Sequence, residues 1–598
     1  MVPEHIIFEV LSQSSWTDII KCRAISKQWR ALIDESTSLK YLVYLGIHGK
    51  IDGPADCEPQ SSVERVRLLH ALERSWTFLD IQNRETIITA FQDRLRLIGN
   101  DLVERIHLRW IESEGYTELG VGYHRLSSST LLPKFNHSRS ILDVPNESER
   151  VSFNPDPSER SWQECFTNAA SGLIVYESRS YDGPFASIQM SLRLLSDPTS
   201  THPLATNPVL DTGSLLPYGP SASVSTLRRF VAGPLLILQV RNDDGRRSRI
   251  DRHALRGCAM TVIIWNWMTG EIVVRLHRTF TEYKVWRQMA LLSSTAFVLP
   301  VTCSVPPGNT LSSAELEIYD FSPEAIVFED GQPTPVLRRT FLLPAIADAS
   351  RVEDADTFDL FATCDLTATY FPESHDMTSM PARAKPFLPS AEDSLCALTL
   401  ETFLVDEQVF YAYVFITFAR TLLATYSSAR VNWSEWGVKG AAAFHGHSST
   451  HGRGLKWALH GSRVAIMQVR GWDRHGINRN LQVLDFSPSR LSRHTAALRE
   501  AQCWPSETDV RLPADTAHTA PVMDKGLENH DSHLGAQPYH IPRPFASWPI
   551  VAELPFLRST LQGEVWRSID VRLDMDQERI MIKAYGTEGS ITSHRTIF

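Results

Sequence analysis

The chain has 598 residues, 43% of them hydrophobic and 21% charged, a composition that can bury a large core and that suits roughly two to four domains, or one small domain beside a large repeat domain. Its 59 Lys and Arg against 69 Asp and Glu leave a net charge of −10, which disfavours nucleic acid as the principal partner, because phosphate backbones are met by basic surfaces. The eight cysteines, at 22, 57, 165, 258, 303, 364, 396 and 503, fall without close pairs, so neither a zinc module nor a disulfide framework is expected. Glu4, Glu9 and Asp18 stand where a secretory leader would be basic and then apolar, and the longest apolar run, Val409 to Ala419, is too short to span a bilayer. These features give the expectation of a cytoplasmic or nuclear protein with no membrane partner. The basic stretch Gly245-Arg-Arg-Ser-Arg249 follows Asp243 and Asp244 between two strand-like runs and reads as a solvated loop.

The first forty residues are helical in period. Pro3 suits a first helical position and Glu4 favours the positive helix end, after which Ile7, Val10 and Leu11 form an apolar stripe. Ser14 to Thr17 interrupt, with Thr17 placed to cap a second helix from Asp18 that carries Ile19, Cys22 and Ile25 on one face. Ser26 starts a third, with Trp29, Leu32 and Ile33. Helices this short cannot bury such stripes alone, so apolar surface is left for a partner.

This pattern resembles the F-box, whose family form opens with a hydrophobic residue, Pro and Glu, runs through Ile/Leu pairs and an Asp-Leu-Leu-like step, and ends near a Val-Ser-Lys-x-Trp-like segment. The matching residues are Val2-Pro3-Glu4, Ile7, Val10-Leu11, Asp18-Ile19-Ile20, Cys22, Ile25-Ser26-Lys27-Gln28-Trp29-Arg30 and Leu32-Ile33. The pattern departs at Ser12-Gln13-Ser14-Ser15-Trp16, which replaces a Leu-centred inter-helix step. The resemblance implies docking on a Skp-type adaptor and, through it, a cullin-RING ubiquitin ligase. It implies an adaptor-binding set of Val2, Pro3, Glu4, Ile7, Val10, Leu11, Ile19, Ile20, Ile25, Trp29, Leu32 and Ile33, with Pro3, Ile7, Leu11, Ile20, Ile25 and Trp29 as anchors. No catalytic residue is required of this chain, since the ubiquitin chemistry belongs to other subunits.

Beyond Asp52-Gly53-Pro54, Val63, Val66, Leu69, Leu72, Trp76 and Leu79 recur at helical spacing behind a capping-box-like Ser61-x-x-Glu64, predicting a spacer helix over 61–80. Residues 84–113 also read as helical, and 116–123 turn towards strand. The expected boundaries are therefore an F-box at 1–45, a helical linker at 46–114 and a β domain at 115–598.

The β domain announces itself through repetition. Leu316-Glu-Ile-Tyr-Asp-Phe-Ser-Pro323 returns as Leu481-Gln-Val-Leu-Asp-Phe-Ser-Pro488, and Val262-Ile-Ile-Trp-Asn-Trp-Met-Thr-Gly270 is a looser relative leading into Glu271 to Leu276. Each is an alternating run that ends in Asp or Asn between large residues and then turns, which reads as the hairpin of a repeated unit and resembles the outer hairpin of a WD-type propeller blade. Runs at 191–195, 235–240, 295–300 and 464–469 add strands of the same kind. The chain closes with 569–573 and 579–583, readable as a last blade completed by an N-terminal strand. Segments 350–392 and 499–547, rich in Pro, Ser, Thr, Asp or His, read as excursions. The order of F-box, Trp-containing amphipathic helix and irregular propeller is similar to a group of F-box proteins of mushroom-forming fungi.

Chemistry is hard to find in the pattern. Gly446-His447-Ser448 lacks the second Gly of a nucleophile elbow, and Gly120-x-Gly122 lacks the third glycine of a dinucleotide fingerprint. His445, His447 and His451 have no acidic or Cys ligand nearby and read as a loop, Asp574 and Asp576 as a solvated turn, and Trp433, Trp436 and Trp457 as packing between blades. No cofactor or metal is expected. The sequence thus reads as mainly β with a helical N-terminus, an irregular propeller behind a three-helix F-box and a spacer helix. Its expected role is that of a substrate receptor holding a protein substrate not identified by sequence. The alternatives are a propeller scaffold outside ubiquitin transfer, or a propeller hydrolase or lyase with a helical cap.

Overall fold

The computed structural model describes residues 3–52, 61–78 and most of 163–344 and 393–488, together with short segments between 85 and 152, between 366 and 390 and between 491 and 597. Helices occupy the start of the chain and antiparallel sheets the remainder, as the change from helical to alternating periodicity dictates.

Four helices precede residue 50: α1 (Glu4–Ser12), α2 (Trp16–Arg23), α3 (Lys27–Glu35) and α4 (Thr37–Ile47). Pro3 is the N-cap of α1 rather than its first residue. Ser15, not Thr17, caps α2, its hydroxyl accepting the Asp18 amide at 3.2 Å, so that helix begins two residues earlier than its sequence suggests. Ser26 caps α3 as expected, accepting the Trp29 amide at 3.2 Å. The spacer is α5 (Ser62–Phe78), with Ser61 oxygen 3.5 Å from the Glu64 amide.

Among the described residues the strands form seven sheets of three or more strands and two two-stranded ribbons. The first sheet is small, with strands at 125–127, 130–131 and 151–152. The second is built on Gln163–Asn168, Leu173–Asp182, Phe185–Leu194 and Val209–Asp211. The third is a four-strand meander, Ser223–Ala232, Leu235–Asp243, Ala259–Asn266 and Glu271–Thr279. The fourth centres on Ala296–Val305, Thr310–Asp320 and Val336–Leu342, the fifth on Leu395–Leu404, Val409–Phe418 and Ala441–Ser448, and the sixth on Leu455–His460, Arg463–Asp473 and Gly476–Asp485. The seventh joins Asp570–Met575, Ile580–Tyr585 and Ile591–Ile597 to a strand from far upstream, Glu85–Ile87.

The sheets stack. In the third, Val262 and Ile264 face a core shared with Phe297, Leu299 and Tyr319 of the fourth, while Ile263 and Trp265 face a core shared with Val175 and Met190 of the second. Burial on both faces is why this strand is continuously apolar instead of alternating. The fourth and fifth sheets share Val298, Ile318, Tyr413 and Phe415, and the fifth and sixth share Val414, Ile416, Ile466 and Leu484. A mainly β chain with a helical start is what the sequence suggests and what forms. Among the described residues these shared cores run in series from the second sheet to the sixth and do not by themselves form a closed ring.

The repeated punctuation has one geometry. Asn266, Asp320 and Asp485 each accept, through a side-chain oxygen, the amide of the residue two positions on, at 3.1, 2.8 and 2.9 Å to Met268, Ser322 and Ser487. The buried aromatic between them, Trp267, Phe321 or Phe486, gives its own amide to the residue just before the neighbouring strand: Pro234 at 2.9 Å, Thr295 at 2.7 Å and Ser462 at 2.9 Å. A fourth copy uses Ala419 and Ser394 at 2.8 Å, and there Phe418 replaces the acid and a short helix, Ala419–Leu423, replaces the turn.

Several expectations change in the folded chain. Residues 85–87, read as helical, are a strand because their partner is the chain's last strand. Gly446, His447 and Ser448, read as loop, lie in the strand Ala441–Ser448 paired with Val409–Phe418, so no sharp elbow exists there. Asp574 also lies within a strand. Of the two excursions, only 366–368 and 387–390 fall among the described residues; 499–547, the basic stretch 245–256, Gly120, Gly122, His451 and Asp576 lie outside them.

Candidate functional site: the apolar face of the N-terminal helices

The helical module sorts its apolar residues onto two sides. Ile7, Leu11, Ile19 and Ile33 turn inward and pack with Leu39 of α4, and Trp29, Leu32 and Cys22 lie half-buried against that core. Pro3, Glu4, Ile6, Val10, Ile20 and Ile25 remain outside. Ile6 and Val10 are one turn apart on α1, Ile20 is on α2 and Ile25 follows it; Val10 is 59% and Ile25 66% exposed, values that a side chain contributing to its own module's core would not show. Val2 lies outside the described residues. The expected adaptor set is therefore divided: Ile7, Leu11, Ile19, Trp29, Leu32 and Ile33 hold the helices together, and Val10, Ile20 and Ile25 stay exposed. Ile6 escaped the sequence reading because a stripe drawn through Ile7, Val10 and Leu11 does not reveal which edge faces α4.

The departure at residues 12–16 has a structural reason. Trp16 packs on Gly46 of α4, where an added Cβ would sit 2.0 Å from the Trp16 ring, so Trp and Gly form a matched pair at the α2/α4 crossing. Arg23 and Asp34, 2.8 Å apart, tie α2 to α3. On the exposed rim Lys21 bonds Asp18 at 2.8 Å, and that bond, with a second from Ser15, holds the Asp18 carboxyl below its usual range.

Two connections fix this module to the rest of the chain. Tyr41 and Leu45 of α4 pack on Leu69 of α5, and the Asp52 carboxylate accepts from Tyr41 hydroxyl at 2.5 Å and from Arg65. Burial, reinforced by Asp52, pushes the Tyr41 hydroxyl far above its ordinary pKa. The second connection is a ribbon: Lys50–Asp52 pairs antiparallel with Phe387–Pro389, and Ser390 gives its amide to Gly49 carbonyl at 2.8 Å. Gly49 has φ +60°, and a Cβ there would meet Asp393 Oδ2 at 2.4 Å, while Asp393 also holds Arg420 at 3.2 Å. Residues of the 350–392 excursion thus reach back to the helical module.

Several buried polar residues of the described sheets serve packing. Glu177 receives Arg179 at 2.5 Å and Arg229 at 2.8 Å, linking the second and third sheets; Glu317 receives Trp286 Nε1 at 2.8 Å and Tyr319 hydroxyl at 2.7 Å. His202 gives Nε2–H to Ser171 carbonyl at 2.9 Å, takes the Leu204 amide on Nδ1 at 3.2 Å and meets Trp267 edge to face. Trp433 and Trp436 lie on the helix Trp433–Gly440 and pack with Phe341 and Phe415, while Trp457 packs at the core between the fifth and sixth sheets. His445 and His447 stand on alternate positions of one strand, and no group of three or more metal-ligating side chains forms among the described residues. No helix among them is long and apolar enough to cross a membrane.

No protein-family model and no curated protein matches the chain. Among solved structures it is similar to the WD40 domain of SCAP from fission yeast, at 8% identity and a TM-score of 0.24, over 61% of this chain and 68% of that one. At that score the likeness fixes neither the architecture nor the role of this chain.

Proposed function

We propose that this chain is a substrate receptor of an SCF-type cullin-RING ubiquitin ligase. Its F-box-like helices dock on a Skp-type adaptor, and its stacked sheets, the seventh completed by the pairing of Glu85–Ile87 with Ile591–Ile597, form an irregular propeller-like surface that holds a protein substrate. The observation that carries the reading is the outward placement of Ile6, Val10, Ile20 and Ile25 on helices whose other side is already a complete core. Such a face matches helix-in-groove recognition, in which a few desolvated apolar anchors dominate affinity. In this reading the chain performs no reaction, takes no cofactor or metal, meets neither nucleic acid nor membrane, and works in the cytoplasm or nucleus, with the cullin reached through the adaptor.

The test is capture of the full-length protein by purified Skp-type adaptor. Val10→Asp and Ile25→Asp, both at exposed sites, should weaken capture at least about tenfold with the thermal midpoint unchanged. Ile19→Ala, which empties the module's core, should instead lower the midpoint by destabilising the fold, a change of this kind costing roughly 2–5 kcal/mol. A wild-type chain that ignores the adaptor sinks the receptor reading and leaves a scaffold or a propeller enzyme.

A further inference from the structure

Large hydrophobic side chains that stay exposed among the described residues fall in two stretches of the chain: Ile6, Val10, Ile20, Ile25, Val63 and Leu68 on and between the helices that precede the sheets, and Val327, Phe328, Val336 and Leu337 in the fourth sheet's outer region. The second patch surrounds a small hairpin, Val327–Glu329 with Gln332–Thr334, turned by Asp330 at φ 50° and Gly331 at φ 73°. Two successive positive φ values define a tight turn whose twist matches a hairpin, so the projection is rigid. Phe328 at its centre is 72% exposed and Val327 49%, on opposite faces of a strand that pairs, among the described residues, only with its hairpin partner.

The two edges of this hairpin differ. Glu329 opposite Gln332 closes the turn, so Phe328 opposite Pro333 falls at the alternate pair, where backbone N–H and C=O point away from the partner strand. On the Pro333 side that outward position has no N–H, and this strand lies beside Glu271–Thr279 of the third sheet. On the Phe328 side a donor and an acceptor flank an exposed aromatic ring. Within residues 322–337 the charge is of one sign, with exposed Glu324, Glu329 and Asp330 and no Lys, Arg or His, while Arg275, His277 and Arg278 belong to the strand Glu271–Thr279 on the Pro333 side. The next basic residues are turned to other work, Arg338 to Asp320 at 3.8 Å and Arg339 to the carbonyls of Ala424, Tyr426 and Ser428 at 2.6, 3.0 and 3.2 Å.

We infer that this hairpin is the capture surface for an extended protein segment that alternates Lys or Arg with apolar residues. Its apolar side chains cover Phe328 on one face, its basic ones meet Glu329 on the opposite face and Asp330 at the turn, and its backbone pairs with Phe328 at the strand edge. The inference rests on the receptor reading, because it names that reading's substrate-holding surface.

The probe is a short fluorescein-labelled peptide alternating Lys and Val, followed by anisotropy on the full-length chain, with a Glu-Val peptide as control. Binding should weaken as salt rises, be absent for the control, and drop roughly tenfold or more in Phe328→Ser and in Glu329→Gln combined with Asp330→Asn. Equal binding to wild type and Phe328→Ser, or no binding to either, overturns the inference. So does self-association of the free chain that Phe328→Ser abolishes, which would assign the patch to a second copy. Adaptor capture measured on the same Phe328→Ser preparation should be unaffected; peptide binding beside a failure of wild-type adaptor capture would retain this surface and reject the ligase.

Discussion

His202 is nearly inaccessible to solvent, and both ring nitrogens are engaged in its neutral form. Burial lowers its pKa below the ordinary 6.5, with the Ser171 carbonyl opposing only in part. Below pH 6.5 the unfolded chain therefore binds a proton that the folded chain resists at His202, so the contribution of this residue is complete above that pH and is lost as the pH falls towards the folded pKa. The thermal midpoint should drop between pH 7 and pH 5, and His202→Gln should make that drop shallower whatever it does to the midpoint at pH 7. An identical slope in the variant would show that His202 does not titrate with unfolding.

At the level of elements, the recurring corner combines two interactions of unequal weight. Asp485 accepts the Ser487 amide and also holds Arg463 at 2.9 Å with both side chains buried, whereas the charge partner of Asp320, Arg338, is 3.8 Å away and exposed. Asp485→Ala leaves a buried guanidinium without its carboxylate, at about 3–5 kcal/mol. Asp320→Ala loses chiefly a turn hydrogen bond, about 0.5–1.5 kcal/mol. Thermal midpoints should rank the variants in that order, and equal losses would mean that the turn, not the ion pair, governs the corner. Three copies of this corner were legible because an Asp or Asn acceptor must precede a buried aromatic. The fourth was not, since Phe418 and Ala419 keep the backbone bond while discarding both side-chain signals. The exposed apolar face of the helices was half legible for a related reason: helical spacing marks Ile7 and Leu11 as apolar, but α4, with Leu39 buried and Leu42 and Val43 packed against the same core, decides that they face inward. Glu85–Ile87 was misread because its pairing partner is the far end of the chain, which no local window contains.

Across the whole molecule, the Gly49 ribbon couples helices to sheets through a residue that tolerates no side chain. Gly49→Val combines a collision with Asp393 and a backbone conformation that β-branched residues avoid. Hydrogen exchange should accelerate at least about tenfold at Ile51 and Ser390, while the α1 to α3 core and the β-sheets keep their protection. Unchanged exchange would show that Tyr41, Asp52 and Arg65 suffice to hold the module in place.

The pairing of Glu85–Ile87 with Ile591–Ile597 also imposes an order of birth. The first strand of that pair leaves the ribosome some 500 residues ahead of its partner, a wait of roughly 25–100 s at ordinary rates of synthesis. Throughout that interval the helical module, whose core lies entirely within residues 7–43, can already be folded with its exposed apolar face in place. The seventh sheet is completed only once Ile591–Ile597 has emerged, so a ribosome that stops short of Ile591 releases a chain with a folded helical module and an unpartnered Glu85–Ile87 segment.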